Sequence, residues 1–328
     1  MQKTVTGAVI GCGVIAPTHV QSYACQDNVR IRWACDLVEK KAQRLAAEYD
    51  IPNTTTDYRD VLADPDVDCI SVCTDHASHP DIAVAALDAG KHVLCEKALA
   101  ANRDGVRRMV DAVDEHPQQV FAAVFQHRFD PVNRYIKGLV DNGVFGKILT
   151  AGIQVRCLRT AAYYRGDPWR GTWEQEGGAV LINQSIHYID QLIWFLGPAQ
   201  SLVGTHSNIT HNGVMETEDT AAALLRFPNN AIGTIEATCS SNLRWEPTIS
   251  IHGSAGSVDV RHDRLIKAEF EDDSVEQRVR REVEACRANP GVEAGKSYYG
   301  TGHPAQIADF VDAIRESRQP FVTVKSAN

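Results

Sequence analysis

One stretch near the N-terminus limits the folds open to this chain more than any other. The apolar run 5–10 leads into Gly11-Cys12-Gly13-Val14-Ile15-Ala16. A helical pattern follows, then a second apolar run that ends at Asp36. A GxGxxA between a strand and a helix has a defined mechanical meaning. The first glycine allows a tight turn, the second lets a ligand approach the backbone, and the small last residue lets helix and strand pack closely. The helix N-terminus behind the turn offers N–H donors and the positive end of a dipole, which suits a pyrophosphate. Asp36, some twenty residues past Ala16, is placed to accept hydrogen bonds from ribose hydroxyls. A carboxylate there repels a 2′-phosphate, and Leu37 and Val38 supply no cation in its place. NAD is therefore favoured over NADP. Gly11, Gly13, Val14, Ile15 and Asp36 are the candidate nucleotide-binding residues at this end.

The same rhythm continues to residue 124. Short β-rich runs at 5–10, 31–35, 68–73, 92–95 and 120–124 alternate with helical patterns such as 39–49, 80–89 and 102–115. Strands buried on both faces and spaced by helices predict a doubly wound parallel sheet, so 1–124 reads as a dinucleotide-binding α/β domain. Beyond residue 124 the pattern changes. Helical segments at 131–142 and 179–196 frame a run at 147–156. Strand-like runs then follow at 201–208, 220–227, 231–239, 248–252 and 257–261, two of them joined at the compact turns FPNNAI and GSAGS. Residues 125–328 thus read as an α+β domain with a large, mostly antiparallel open sheet.

Composition excludes several alternatives. The net charge is −9, and the densest basic run, 278–281, is flanked by glutamates, so no nucleic-acid surface is expected. No apolar run reaches the roughly 18–20 residues of a membrane span, and the N-terminus enters a strand pattern directly, which predicts a cytoplasmic protein without a signal peptide. Nine cysteines without a CxxC pair or a metal-ligand spacing predict buried thiols rather than disulfides, and no metal site.

Two further stretches carry candidate chemistry. In HVLCEKALA, Lys97 lies just past the 92–95 strand, at the carboxyl edge where ligands of open α/β sheets bind. In GGAVLINQSIHYIDQLIWFLG, Asn183 and His187 stand four apart, on one face of the expected helix.

The order of GCGVIA, VCTDHASH (72–79), Glu96-Lys97 and the Gly-Gly helix with its histidine resembles the Gfo/Idh/MocA family of nicotinamide-dependent oxidoreductases, over nearly the whole chain. The resemblance implies a Rossmann domain followed by an α/β domain whose open sheet often builds dimers or tetramers. It also implies redox chemistry at a secondary alcohol of a sugar, sugar nucleotide, glycoside or cyclitol. Lys97 matches the family's EKP lysine and His187 its helix histidine, while Asn183 stands where many members carry aspartate. Lys97, His187 and Asn183 are the expected catalytic residues, with His187 as proton acceptor. Thr74, His79, Glu96 and Lys97 join the cofactor set. Aromatic and basic residues before the helix, Tyr163, Trp169, Arg170 and Trp173, together with Arg128 and Tyr299, are candidates for binding a polyol ring. Ala98 replaces the family's usual proline, so a cis peptide there is not assured by the sequence. A redox-neutral, NAD-dependent glycosidase and a non-catalytic NAD-binding regulator are the rival functions.

Overall fold

The computed structural model describes residues 4–262, 264–288 and 299–327. The chain forms two compact units, one combining Met1–Gln126 with Gly291–Asn328 and the other His127–Pro290.

In the first unit, β1 (Val5–Ile10), β2 (Val29–Cys35), β3 (Asn53–Thr55), β4 (Cys69–Val72), β5 (His92–Cys95) and β6 (Phe121–Ala123) alternate with α1 (Ala16–Ala24), α2 (Glu39–Tyr49), α3 (Tyr58–Ala63), α4 (His79–Asp88) and α5 (Arg103–Glu115). All strand pairs are parallel and the order is β3-β2-β1-β4-β5-β6. Every side chain of β1 and β4 is buried, as strands covered on both faces require. Local signals set the helix starts. Asp57 and Asn102 cap α3 and α5 by accepting from the main-chain N–H of Arg59 and Gly105, and a proline opens α1 and α4. The short β3 and α3 escape sequence reading because neither is long enough to show a period.

The second unit holds α6 (Pro131–Asp141), β7 (Ile148–Leu158), α7 (Ala161–Arg165), α8 (Ile186–Leu196), β8 (Ser201–Ser207), β9 (Thr220–Arg226), β10 (Ile232–Thr238), β11 (Ser240–Gly253), β12 (Gly256–Arg261), β13 (Arg264–Phe270) and α9 (Asp273–Ala288). Its seven strands run in the order β13-β12-β11-β7-β10-β9-β8 and pair antiparallel except for β7 with β10. Ile136, Leu192, Phe195, Val279 and Val283 from α6, α8 and α9 share one core with strand residues such as Ile153, Ile249 and Val258. The helices therefore cover one face of the sheet. β13 went unread because RLIKAEF has three charged residues among seven, no strict alternation, and buries only Ala268 and Phe270.

Two expectations need correction. The helix expected over 179–196 is not continuous: a π-helical turn, Val180–Gln184, precedes α8. The domain boundary also misses a return of the chain. The last helix, α10 (Gly302–Glu316), contributes Ile307, Phe310, Val311 and Ile314 to the core of the first unit, beside Val5, Leu94 and Val124. An amphipathic helix records in its sequence that it needs cover, but not which sheet supplies it.

Candidate active site

At the nucleotide end of the first unit, Gly11 has φ +93°, and a Cβ there would lie 2.5 Å from the Cys73 carbonyl. Its N–H donates to Cys35 O at 2.8 Å, which pins the turn over the ends of β2 and β4. Only glycine satisfies that backbone and that contact. Gly13 differs: among the described residues beyond its chain neighbours, a Cβ there would meet no atom within 4 Å. Protein packing does not explain this glycine, whereas close approach by a phosphate does, and no side chain caps α1 behind it. Asp36 accepts from the N–H groups of Cys12 and Val38, both at 2.8 Å. These bonds fix the carboxylate at the end of β2 with lone pairs left for ribose hydroxyls. Ala16 is fully buried against the sheet, and Leu37 is 90% exposed beside Asp36. Burial and the neighbouring Asp36 push the Cys12 and Cys35 thiols up to about 12, so both stay protonated. These residues fit a dinucleotide.

Beyond β5 the chain builds a buried polar network around Lys97. Glu96, 6% exposed, accepts from Nε2 of His19 at 2.9 Å, and its other oxygen accepts the Lys97 N–H at 3.1 Å. His19 Nδ1 meets Ser71 Oγ at 3.0 Å, and Tyr23 joins the same hydroxyl at 3.0 Å. The peptide between Lys97 and Ala98 is cis although residue 98 is not a proline. Tyr299 places its ring beside His303 of α10, and its carbonyl accepts from Gln126. Both ring nitrogens of His79 face main-chain carbonyls, those of Ala98 and Thr74, so this histidine braces the loop that carries Lys97. Burial lowers its basicity. Thr74 Oγ1 accepts from Ser78 at 2.7 Å at the start of α4. Sequence reading missed the part played by His19. The available signal was its place one turn beyond Ala16, on the inward face of α1.

Burial alone would raise the Glu96 carboxyl. The His19 hydrogen bond, with electrostatic attraction from His19, His303 and Lys97, overcomes it and brings the group from 4.5 down to about 2. Because the folded-state value is the lower one, Glu96 contributes stability that is complete above about pH 4.5 and is lost as the pH falls toward 2. The full contribution is on the order of 3 kcal/mol. Urea unfolding of the wild type and Glu96→Gln at pH 7 and pH 3 checks this. The variant is expected to be less stable at pH 7, with the gap narrowing at pH 3. A gap that stays constant would rule Glu96 out as the titrating group.

In the second unit Asn183 lies in the π turn and His187 at the start of α8. Asn183 donates to Glu176, a carboxylate with no exposure that also accepts the Gly171 N–H. His187, at the start of α8, packs its ring 5.2 Å from that of His127. His127 in turn bonds Asp130 through Nδ1 at 3.0 Å. In the π turn the N–H of Ser185 reaches Val180 O, five residues back. Gly177, with φ +82°, makes the sharp entry, and Glu218 accepts the N–H groups of Ala179 and Leu181 at 3.0 and 2.9 Å. Neither Glu176 nor Glu218 was anticipated, since a buried carboxylate reads as a surface charge until its donors are known.

The predicted ring-binding residues divide. Tyr163, Trp169 and Arg170 come together: Arg170 bonds the Tyr163 hydroxyl, lies over the Tyr163 and Trp169 rings at 4.4 and 4.6 Å, and pairs with Asp167 at 3.0 Å. Gln184, next to Asn183, donates to the same hydroxyl at 3.3 Å. Trp173 stands apart, 48% exposed against His206. Arg128 is buried, donates to Asp190 through Nε at 2.8 Å and lies over Trp194, so it braces α8. Burial raises the Asp190 carboxyl, with Arg128 opposing.

Two family models match the chain. One, described as an oxidoreductase family with an NAD-binding Rossmann fold, covers residues 5–124, and the GFO/IDH/MocA C-terminal domain covers residues 133–259. Levoglucosan dehydrogenase of Pseudarthrobacter phenanthrenivorans is 27% identical over 350 residues, spanning 94% of this chain and 88% of that protein. Myo-inositol 2-dehydrogenase of Thermotoga maritima is 26% identical over 253 residues, spanning 76% and 73%. The solved structure of the WlbA dehydrogenase from Bordetella pertussis, in complex with NADH and UDP-GlcNAcA, superposes with a TM-score of 0.88 at 26% identity, covering 99% of this chain and 92% of that one.

Proposed function

The chain belongs to the Gfo/Idh/MocA family of NAD-dependent oxidoreductases, and from that premise we propose that it oxidises or reduces a secondary alcohol of a sugar, sugar nucleotide, glycoside or cyclitol, with Lys97 and His187 moving the hydroxyl proton. The named activities of its levoglucosan and inositol dehydrogenase relatives support the substrate class. The observation that carries the proton assignment is the state of residue 183. Asn183 is a neutral amide that donates to Glu176, and it has no proton-accepting role to offer. The imidazole of His187 is left as the base of this stretch, the side-chain type used most often for proton exchange near neutral pH.

NAD, when bound, supplies the hydride acceptor. Gly13 and the start of α1 hold its pyrophosphate, and Asp36 holds the adenosine ribose. Lys97 donates a hydrogen bond to the reacting hydroxyl and stabilises alkoxide charge as it develops, and His187 takes the proton. In the reverse direction His187 returns it. Tyr163, Trp169 and Arg170 offer aromatic and guanidinium faces to the sugar ring. Assembly into a homodimer or homotetramer through the open sheet belongs to the same proposal, as its edge strand β8 leaves Leu202 and Val203 exposed.

The test follows the near-ultraviolet absorbance of NADH with purified protein, NAD and a panel of inositols, aldoses, glycosides and UDP-sugars. Accumulation of NADH with one member of the panel is expected. Consumption of a glycoside without net NADH would replace this reading with a redox-neutral glycosidase.

A further inference from the structure

Arg159 follows the last residue of β7 and lies outside every role assigned so far. Its main chain is held on both sides: its N–H donates to Cys239 O at 2.8 Å, and its carbonyl accepts from Nε2 of His211 at 2.9 Å. The guanidinium lies over two rings, Tyr163 at 5.2 Å and Trp245 at 5.3 Å. Stacking covers the faces of a guanidinium and leaves its in-plane N–H edge to make hydrogen bonds. On that edge Nη1 reaches only the adjacent Leu158 carbonyl, at 3.2 Å, and the buried Nε has no partner among the described residues. No carboxylate lies within ion-pair distance of Arg159 among the described residues. The carboxylates of this region are already engaged, Asp167 by Arg170 and Glu176 by Asn183 and Gly171.

A rigidly mounted cation with an unfilled donor edge is matched by a pair of anionic oxygens rather than by neutral hydroxyls. Carboxylate and phosphate accept two parallel N–H bonds from such a fork, and the charge-assisted bonds are about twice as strong as neutral ones. Tyr163, on which Arg159 stacks, is bonded through its hydroxyl to Gln184 beside Asn183, so the cation is tied to the stretch that carries the proposed base. We infer that Arg159 anchors an anionic oxygen group on the substrate, the carboxylate of a uronic acid or the phosphate of a sugar nucleotide. This inference rests on the dehydrogenase reading for its kinetic test, but not for its binding test.

The kinetic test compares kcat/KM with NAD for matched pairs, glucuronate against glucose and UDP-glucose against methyl glucoside, in the wild type, Arg159→Gln and Arg159→Lys. The anionic member of at least one pair is expected to be preferred, and which pair shows the preference separates carboxylate from phosphate. Arg159→Gln is expected to cut that preference about 30-fold, mainly through KM. Arg159→Lys keeps the charge without the fork and is expected to fall between the two, with thermal midpoints confirming folding. The binding test is titration calorimetry of the NAD-loaded protein with glucuronate, UDP and glucose. It is expected to show an anion bound by the wild type and weakened in Arg159→Gln. NADH formation from neutral substrates alone, unaffected by Arg159→Gln, overturns this inference and leaves the dehydrogenase reading intact. Equal loss on both members of a pair, or no anion binding in the titration, reduces Arg159 to a stacked brace between β7 and β11. No NADH from any substrate overturns the dehydrogenase reading, and the titration still decides the role of Arg159.

Discussion

Lys97→Met and His187→Ala each lower kcat/KM for the substrate by about three orders of magnitude, within the range that a positioned acid–base group contributes, while the NAD dissociation constant changes little. The two variants are expected to differ in their pH profiles. Removing His187 deletes the proposed base, so the pH profile of His187→Ala is expected to change shape. Lys97→Met is expected to keep the wild-type profile at a lower level. Stability also separates a chemical role from a structural one. Lys97 is half-buried, and its loop is held by Glu96, His19 and His79 through main-chain contacts that the substitution leaves in place. A variant of either residue that retains wild-type turnover would sink the assignment. A large fall in thermal midpoint would instead reclassify the residue as part of the scaffold.

The second large effect separates two glycines of one motif. Gly11→Ala forces a left-handed φ of +93° on a residue with a Cβ and drives that atom to 2.5 Å from the Cys73 main chain. Strain and overpacking together cost about 3–5 kcal/mol, enough to remove much of the stability of a typical domain. Gly13→Ala meets no atom within 4 Å among the described residues beyond its chain neighbours, so its fold is expected to be as stable as the wild type. Its Cβ enters the space through which a pyrophosphate approaches, and NAD affinity is expected to fall at least about tenfold. Chemical denaturation and NAD titration of both variants check the pair. Equal stability losses would mean that protein packing explains both glycines, and unchanged NAD affinity in Gly13→Ala would remove the dinucleotide from this turn.

The first unit was legible because its signals are local. Strand, glycine turn, helix and acidic residue fall within one short segment, and caps and prolines mark the helix starts where the structure has them. The network behind Lys97 was not legible, because His19, Ser71 and Glu96 sit on three separate elements and meet only when α1, β4 and β5 pack. Asn183 and His187 give the opposite lesson. Their spacing suggested one regular helix, but Asn183 lies in a π turn and donates to Glu176, and α8 begins only at Ile186, with the His187 ring against His127. That turn forms where the Gly177-Gly178 entry and the Glu218 carboxylate take over main-chain donors, and Glu218 lies far along the sequence.

The sequence by itself determined the doubly wound sheet, the glycine turn with Asp36, the antiparallel character of the second sheet and the residue types available for chemistry. All of these follow from periodicity and short-range sterics. Tertiary structure alone decided that α10 returns to the first unit, that Glu96 is buried and ionised, that His79 and Arg128 are braces, and that Arg159 keeps an unfilled donor edge. Each of those facts depends on which distant donors, acceptors and rings surround a side chain, and that environment exists only once the elements have packed.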